Sequence, residues 1–285
     1  MPNYSAKIKD FLQKYDLHSR NKRIVKRVFP RRRVIARFKD DLWQADLIDY
    51  QNLVYFNSGY KYILLVIDVF SKVVYIEPLK KKTGDLTAEA MSKIIDKNNG
   101  PPVMLVTDRG NEFFNSFFRD LMLSQNINHF RTPTKTPWKT SVAERVNRTI
   151  KTRINRAMQF SKKKNWLNIC QQIVDSYNKT PHSSHGLAPL DVTDANRTEI
   201  YKKLYPKSVI SVECRLKVGD KVRHILEKKR DEKGYTPNWS EEIYTITNVR
   251  QSHTVCWYTL ADSKGSVIPG IWYYYQLNLI ATHDY

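Results

Sequence analysis

The chain has 285 residues, 41% hydrophobic and 12% aromatic, which is enough apolar side chain to build packed cores and so excludes wholesale disorder. Its 48 Lys and Arg stand against 28 Asp and Glu, and a net charge of +20 points to a polyanionic partner, either nucleic acid or an acidic membrane surface. No run of about 18 apolar residues exists to span a bilayer, and the N-terminus has no apolar signal segment.

The three cysteines, Cys170, Cys214 and Cys256, are far apart and odd in number. Neither a disulfide framework nor a metal clip is expected of them, and a reducing, intracellular compartment is. The positive surplus is uneven. Residues 1–40 hold 13 basic and 3 acidic residues, half of the whole excess, whereas residues 212–285 hold 10 and 9. A run such as NKRIVKRVFPRRRVIARFK, with Arg31, Arg32 and Arg33 in it, can neutralise phosphates and give salt-sensitive, sequence-independent binding. It can equally serve as a nuclear import signal or lie as a solvated arm.

In chain order, residues 7–17 have the pattern of a short helix, and 18–40, interrupted by Pro30, that of an extended arm. LWQADLIDY, KYILLVIDVF and KVVYIEPL then read as three strands, with turns at Asn57-Ser58-Gly59 and Ser71-Lys72. TGDLTAEAMSKIIDKNNG reads as a helix stopped at Gly100, and VMLVTD as a buried parallel strand. NEFFNSFFRDLMLSQN predicts an amphipathic helix, INHFRT a strand, and the loop PTKTPWKTS leads to helices over 141–160 and 165–179. From 212 the texture is that of short strands and turns, as in a small barrel. The expected fold class is therefore α/β, a mixed sheet covered on both faces by helices, followed by a small all-β barrel. The expected divisions are a basic arm at 1–40, a core at 41–190, a linker at 191–211 and the barrel at 212–285.

Isolated acids in apolar strands need a reason in so basic a chain. Asp46 lies mid-strand, Asp108 ends the strand VMLVTD, and Glu144 follows 35 residues later on the first turns of the long helix. Carboxylates are hard oxygen ligands, and two or three of them converging hold Mg²⁺ or Mn²⁺. Two such ions can activate the attacking oxygen and stabilise the leaving oxygen of a phosphodiester. On the same helix face as Glu144 stand Arg148, Lys151 and Asn155, with Asn147 adjacent. An acid thus heads a basic and amide stripe suited to a phosphate backbone. Taken singly, each acid is better explained by a turn, a cap or a solvated face.

Together, LWQADLID, YKYILLVIDVFSK, VTDRGNEF and SVAERVNRTIK resemble the catalytic core of retroviral-type integrases. FPRRRV, SKVVYIEPLKKKTG, YNKTPHSSHGLAP and the tail segments LKVGDKVRHI, KGYTPNWSEEIYTI and GIWYYYQL are similar to integrases of Polinton/Maverick DNA elements and related virophages, so the resemblance covers most of residues 29–280. It implies a ribonuclease-H-like core and an SH3-like C-terminal barrel. It implies a metal-binding triad of Asp46, Asp108 and Glu144 holding two Mg²⁺ or Mn²⁺ ions. By the same motif, Asn147 and Lys151 would approach element-end DNA, and Lys139 is a weaker DNA contact. Asp49 and Asp68 take structural roles.

The activity implied is 3′-end processing of double-stranded DNA and strand transfer, by a homo-oligomer (dimer or tetramer) in the host nucleus or a virion. Retroviral integrases also carry a His/His/Cys/Cys zinc domain. Here the first 128 residues hold only His18 and no cysteine, so no zinc is expected. His182 and His185 read as loop residues. The barrel's Tyr235, Trp239, Trp257, Trp272, Tyr273, Tyr274 and Tyr275 are expected mainly as core, with some left to meet DNA, a chromatin protein or a neighbouring subunit. Two other readings remain open: a catalytically silent DNA- or chromatin-binding derivative, and a metal-dependent nuclease that cuts without joining.

Overall fold

The computed structural model describes residues 19–24, 33–132, 141–206, 213–226, 236–252 and 255–280. The expected helix at 7–17, Arg31, Arg32, Lys139 and Tyr235 lie outside the described residues. The chain divides into two units, one of residues 34–206 and one of residues 1–33 with 207–285.

The larger unit is built on a five-stranded mixed sheet. Strands β1 (Leu42–Asp49), β2 (Tyr62–Asp68) and β3 (Val74–Leu79) form an antiparallel meander, and β4 (Met104–Thr107) and β5 (Asn128–Arg131) add in parallel beside β1, giving the order β3-β2-β1-β4-β5. The turns allow this because Ser58, Gly59 and Lys72 take left-handed backbone. Strand alternation assigns the two faces of β1. Trp43 and Ala45 pack under α1 (Gly84–Lys97) and α2 (Ser116–Ser124), while Ile48 packs under α3 (Ser141–Ser161) and α4 (Cys170–Asn178). β2 is buried along its whole length, as a central strand covered on both sides must be.

Two helices are shorter than their sequence pattern. α2 begins at Ser116 because the Asn115 side chain accepts a hydrogen bond from Phe118 N and caps it there. α4 begins at Cys170 because the buried Asn57 amide holds the preceding segment. Its Oδ1 accepts from the backbone N of Trp166 and Leu167, and its Nδ2 donates to Lys164 O and to Leu53 O. The expected linker is also partly structured. Residues Arg197–Leu204 form α5, whose Ile200 packs with Ala36, Leu42, Val69 and Phe70.

In the second unit, β6 (Lys221–His224), β7 (Tyr244–Gln251), β8 (Cys256–Ala261), β9 (Trp272–Tyr273) and β10 (Leu277–Leu279) form an antiparallel sheet in the order β10-β6-β7-β8-β9, compatible with the SH3-like barrel expected. Trp239, Trp272 and Tyr273 are buried, as core aromatics should be. One expectation is corrected here. Cys214 and Cys256 are joined in a disulfide, their Cα atoms 5.6 Å apart across 42 residues of chain. Distance along the sequence does not measure distance within a closed sheet. Cys170 stays free and buried in the other unit.

Part of the basic segment before the core is described. Residues 19–24 are sewn to the barrel. Trp239 Nε1 donates to Lys22 O, Asn278 Nδ2 to Ser19 O, and the buried Arg223 guanidinium to Ser19 Oγ and to the carbonyls of Ser240 and Glu241. Each buried bond of this kind contributes about 1 kcal/mol net.

Candidate functional site

β1 and β4 run side by side in parallel, and Gln44 pairs with Val106. Asp46 and Asp108 each lie two residues beyond that rung, so both emerge at the same end of adjacent strands. Asp46 points to the α3 face and Asp108 stands exposed just past β4, where its Oδ1 accepts from Gly110 N. α3 crosses this face, its Ala143, Val146, Ile150 and Ile154 buried against the sheet.

Two side-chain contacts set the helix on the strand. The Gln44 amide, 2% exposed, accepts through Oε1 from the backbone N of Val142 (3.1 Å) and of Ala143 (3.1 Å). These are N–H groups of the first turn, which have no partner inside a helix. One turn on, Asn147 Nδ2 donates to Asp46 Oδ2. Glu144 is held between these two points, and nothing else in the sequence had marked Gln44. The one available signal was an amide two residues before Asp46, on the same strand face, in an apolar run.

The electrostatics single out Asp46. Burial is the main cause that pushes its carboxyl up to about 6, and the charges of Asp108 and Glu144 push the same way, against the opposing hydrogen bonds from Leu47 N and Asn147. Both distant acids therefore act on one carboxylate. Among the described residues no cation pairs with any of the three.

The oxygens are not gathered into a single ligand set, since among the described residues no three His, Cys, Asp or Glu side chains converge closely enough to hold a metal ion. Like charges turn away from each other, and Asp46 and Asp108 turn to neutral N–H donors. In chemistry the donor set is of the kind divalent cations take: hard carboxylate oxygens from three elements, two of which push up the third, with no paired cation among the described residues. With one Asn147 contact released, Asp46 has an oxygen to offer.

The remaining predicted positions are distributed as follows. Lys151 Nζ reaches Asp49 O (3.4 Å) and lies 5.5 Å over the Tyr50 ring, whose hydroxyl donates to Asn155 Oδ1 (3.3 Å). Arg148 is exposed on the stripe beside it, and Arg33 is exposed in the other unit. Asp49 closes its own turn by accepting from the backbone and side chain of Gln51. Asp68 is fully buried, pushed up to about 6 chiefly by burial, and accepts from Ser71 N, Ser71 Oγ and Asp40 N.

Comparison with known proteins accords with this geometry. Residues 38–137 and 125–189 match two family models, each described as an integrase core domain. A putative uncharacterized transposon-derived protein of Caenorhabditis elegans is 30% identical over 214 residues, covering 75% of this chain and 70% of that protein. The Gag-Pol polyprotein of feline leukemia virus is 27% identical over 150 residues, 53% of this chain but only 8% of the polyprotein. A chain in the simian T-cell lymphotropic virus intasome bound to PP2A regulatory subunit B56 gamma superposes with a TM-score of 0.65 at 14% identity, over 93% of this chain and 87% of that one. At that identity the likeness speaks for the fold, which is ribonuclease-H-like in the core as the sequence motifs implied.

Proposed function

Because the chain belongs to the integrase core family, we propose that it is a DNA integrase of a mobile element or virus, which trims the 3′ ends of its element's double-stranded DNA and joins them to target DNA. The observation that carries this reading is the electrostatics around Asp46 on β1, where the charges of Asp108 at the end of β4 and Glu144 on α3 both act on its carboxyl and no cation among the described residues pairs with the three. Carboxylates placed beside phosphate would only repel it, so the arrangement is suited to a divalent cation. Asp46, Asp108 and Glu144 would hold Mg²⁺ or Mn²⁺, two ions in the full site, which when bound would supply Lewis-acid activation of the attacking and leaving oxygens.

The chain's own residues align and neutralise. Gln44 and Asn147 fix α3 on β1, so the acids face the same volume. Arg148, Lys151 and the basic run containing Arg31, Arg32 and Arg33 neutralise phosphates of the duplex, with Asn147 and Lys139 beside the element end. In the first step water attacks the phosphodiester near the 3′ end and the P–O3′ bond breaks, so that the 3′ oxygen stays on the element strand as a hydroxyl and the released end fragment carries the 5′-phosphate. In the second, the freed 3′-hydroxyl attacks a target phosphodiester, forming one P–O bond as another breaks. Two ends must meet one target, which supports a homo-oligomer.

The sequence likeness outside the core supports a Polinton or virophage origin, and the basic run supports a nuclear site of action. The near-neutral tail supports a protein partner such as chromatin for the barrel. The test is a strand-transfer assay with Asp108→Asn. Loss of both trimming and joining, with duplex binding retained, supports the reading, and undiminished joining overturns the triad. A wild-type protein that cuts but yields no joined product is a nuclease, and one that binds without cutting at any Mg²⁺ concentration is a silent derivative.

A further inference from the structure

On the flank of α3 away from Asn147 and Lys151 lies a second charged cluster that the mechanism does not use. Lys72 sits in the turn after β2 with its backbone left-handed, and its ammonium donates to Val69 O (2.5 Å). Among the described residues no carboxylate pairs with it. The nearest acid is Asp68, whose oxygens are already taken by Ser71 and Asp40 N.

Around Lys72 stand more donors. His185 contacts Ser71 O through Nε2 (3.1 Å), and the His182 ring stacks on His185 with centroids 5.5 Å apart. His182 Nδ1 lies 2.8 Å from Ser184 Oγ and 3.2 Å from Ser184 N, and its Nε2 has no partner among the described residues. Beside His182, centroids 6.3 Å apart, the Tyr177 hydroxyl is buried and unpartnered, and the Arg153 guanidinium lies 5.5 Å over the Tyr177 ring. The charge of Arg145, exposed on α3, acts on both Lys72 and His182, and among the described residues it too has no ion pair. Lys203 is the one neighbouring cation already neutralised, by Glu199 at 2.7 Å.

A half-buried ammonium without a counterion is costly, and crowding it with further cations adds to the cost. The same crowding moves the groups' proton affinities. Burial, then Arg145, lowers Lys72 to about 8 against the pull of Asp68. Burial, then Lys72, His185 and Arg145, lowers His182 to about 4. An anion from outside would relieve these repulsions together.

We propose that Lys72, Arg145 and His182, with Tyr177 and Arg153 behind them, bind a phosphate group of a nucleic-acid backbone at a site separate from the Asp46 carboxylates. The assignment of the phosphate to nucleic acid rests on the integrase reading, whereas phosphate binding itself does not. DNA held there would be gripped on both flanks of α3 by a single rigid helix.

The test uses the full chain in metal-free buffer with EDTA, so that its outcome is independent of cleavage. Inorganic phosphate, compared with chloride at equal ionic strength, is expected to raise the melting temperature of the native protein by about 2–4 °C near saturation and to leave Lys72→Met unchanged. Duplex affinity is then measured against salt. Lys72→Met and Arg145→Gln should each lower the slope of log K against log salt by about 1, while the exposed Lys93→Gln on α1 should leave it unchanged. Arg145 sits on an exposed helix surface, so its variant keeps the test alive should the turn variant fold poorly. Equal slopes in native protein and both variants would overturn the backbone site, even if free phosphate alone stabilises the native chain. Equal phosphate response in native protein and Lys72→Met would overturn the site altogether.

Discussion

On one side of α3, Asp108 and Glu144 both push up the carboxyl of Asp46, and no cation among the described residues pairs with the three. On the other, Lys72, Arg145 and two histidines crowd together, and no carboxylate among the described residues pairs with them. Elsewhere the same protein pairs its charges locally, as in Arg37 with Asp41 or Lys203 with Glu199. The contrast separates charges that serve the fold from charges left for something else to complete, and it places both incomplete sets along one helix.

The comparison can be broken in order of expected effect. Glu144→Gln should lower strand joining by about 10³-fold, the worth of several kcal/mol of transition-state stabilisation, while leaving metal-free duplex affinity intact. A product assay beside a binding assay decides this, and an equal loss in both would merge the two flanks into a single binding surface. Next, Gln44→Met removes the acceptor for two helix N–H groups. It should cost about 1–2 kcal/mol of stability and about tenfold in joining, whereas Gln44→Glu, which keeps an acceptor oxygen, should recover most of the loss.

A third prediction concerns pH. Asp46 sits at about 6 in the folded protein against an ordinary 3.8, so the folded state holds this proton more tightly than the unfolded chain. That advantage is complete below about pH 4 and is lost as pH rises through 6. Without divalent metal, Asp46→Asn should therefore melt about 3 °C higher than the native protein at pH 7.5 and close to it at pH 4. A calorimetric pH series checks this, and a lower melting temperature at pH 7.5 would mean that the carboxylate is compensated after all. The smallest effect belongs to Asn147→Ala. Losing the amide that lowers Asp46 should move the acid limb of the activity profile to higher pH with only a few-fold change in the plateau rate.

The strands and the long helix were legible because their apolar periods are strong, and β2 in particular has no polar residue before Asp68. The three acids were legible as isolated charges in such runs. What periodicity could not show were the polar side chains acting at long range. Asn57 decides where α4 starts from more than a hundred residues away. Gln44 seats α3, and Cys214 meets Cys256 across 42 residues of chain. The cationic cluster was hidden for the same reason. Lys72, Arg145 and His182 lie in a turn, a helix and a loop, and no spacing rule links them.

The stitching of residues 19–24 to the barrel has a consequence for biosynthesis. Lys22 finds Trp239 only after 217 further residues have been made. At about 5–20 residues per second, the N-terminal strand of charge emerges from the ribosome roughly 10–40 s before its docking partner exists. Meanwhile the core unit, contiguous from residue 34 to 206, can complete its sheet on its own. Residues 19–24 thus wait longest for their hydrogen-bond partners, and the barrel unit cannot be completed until the end of synthesis.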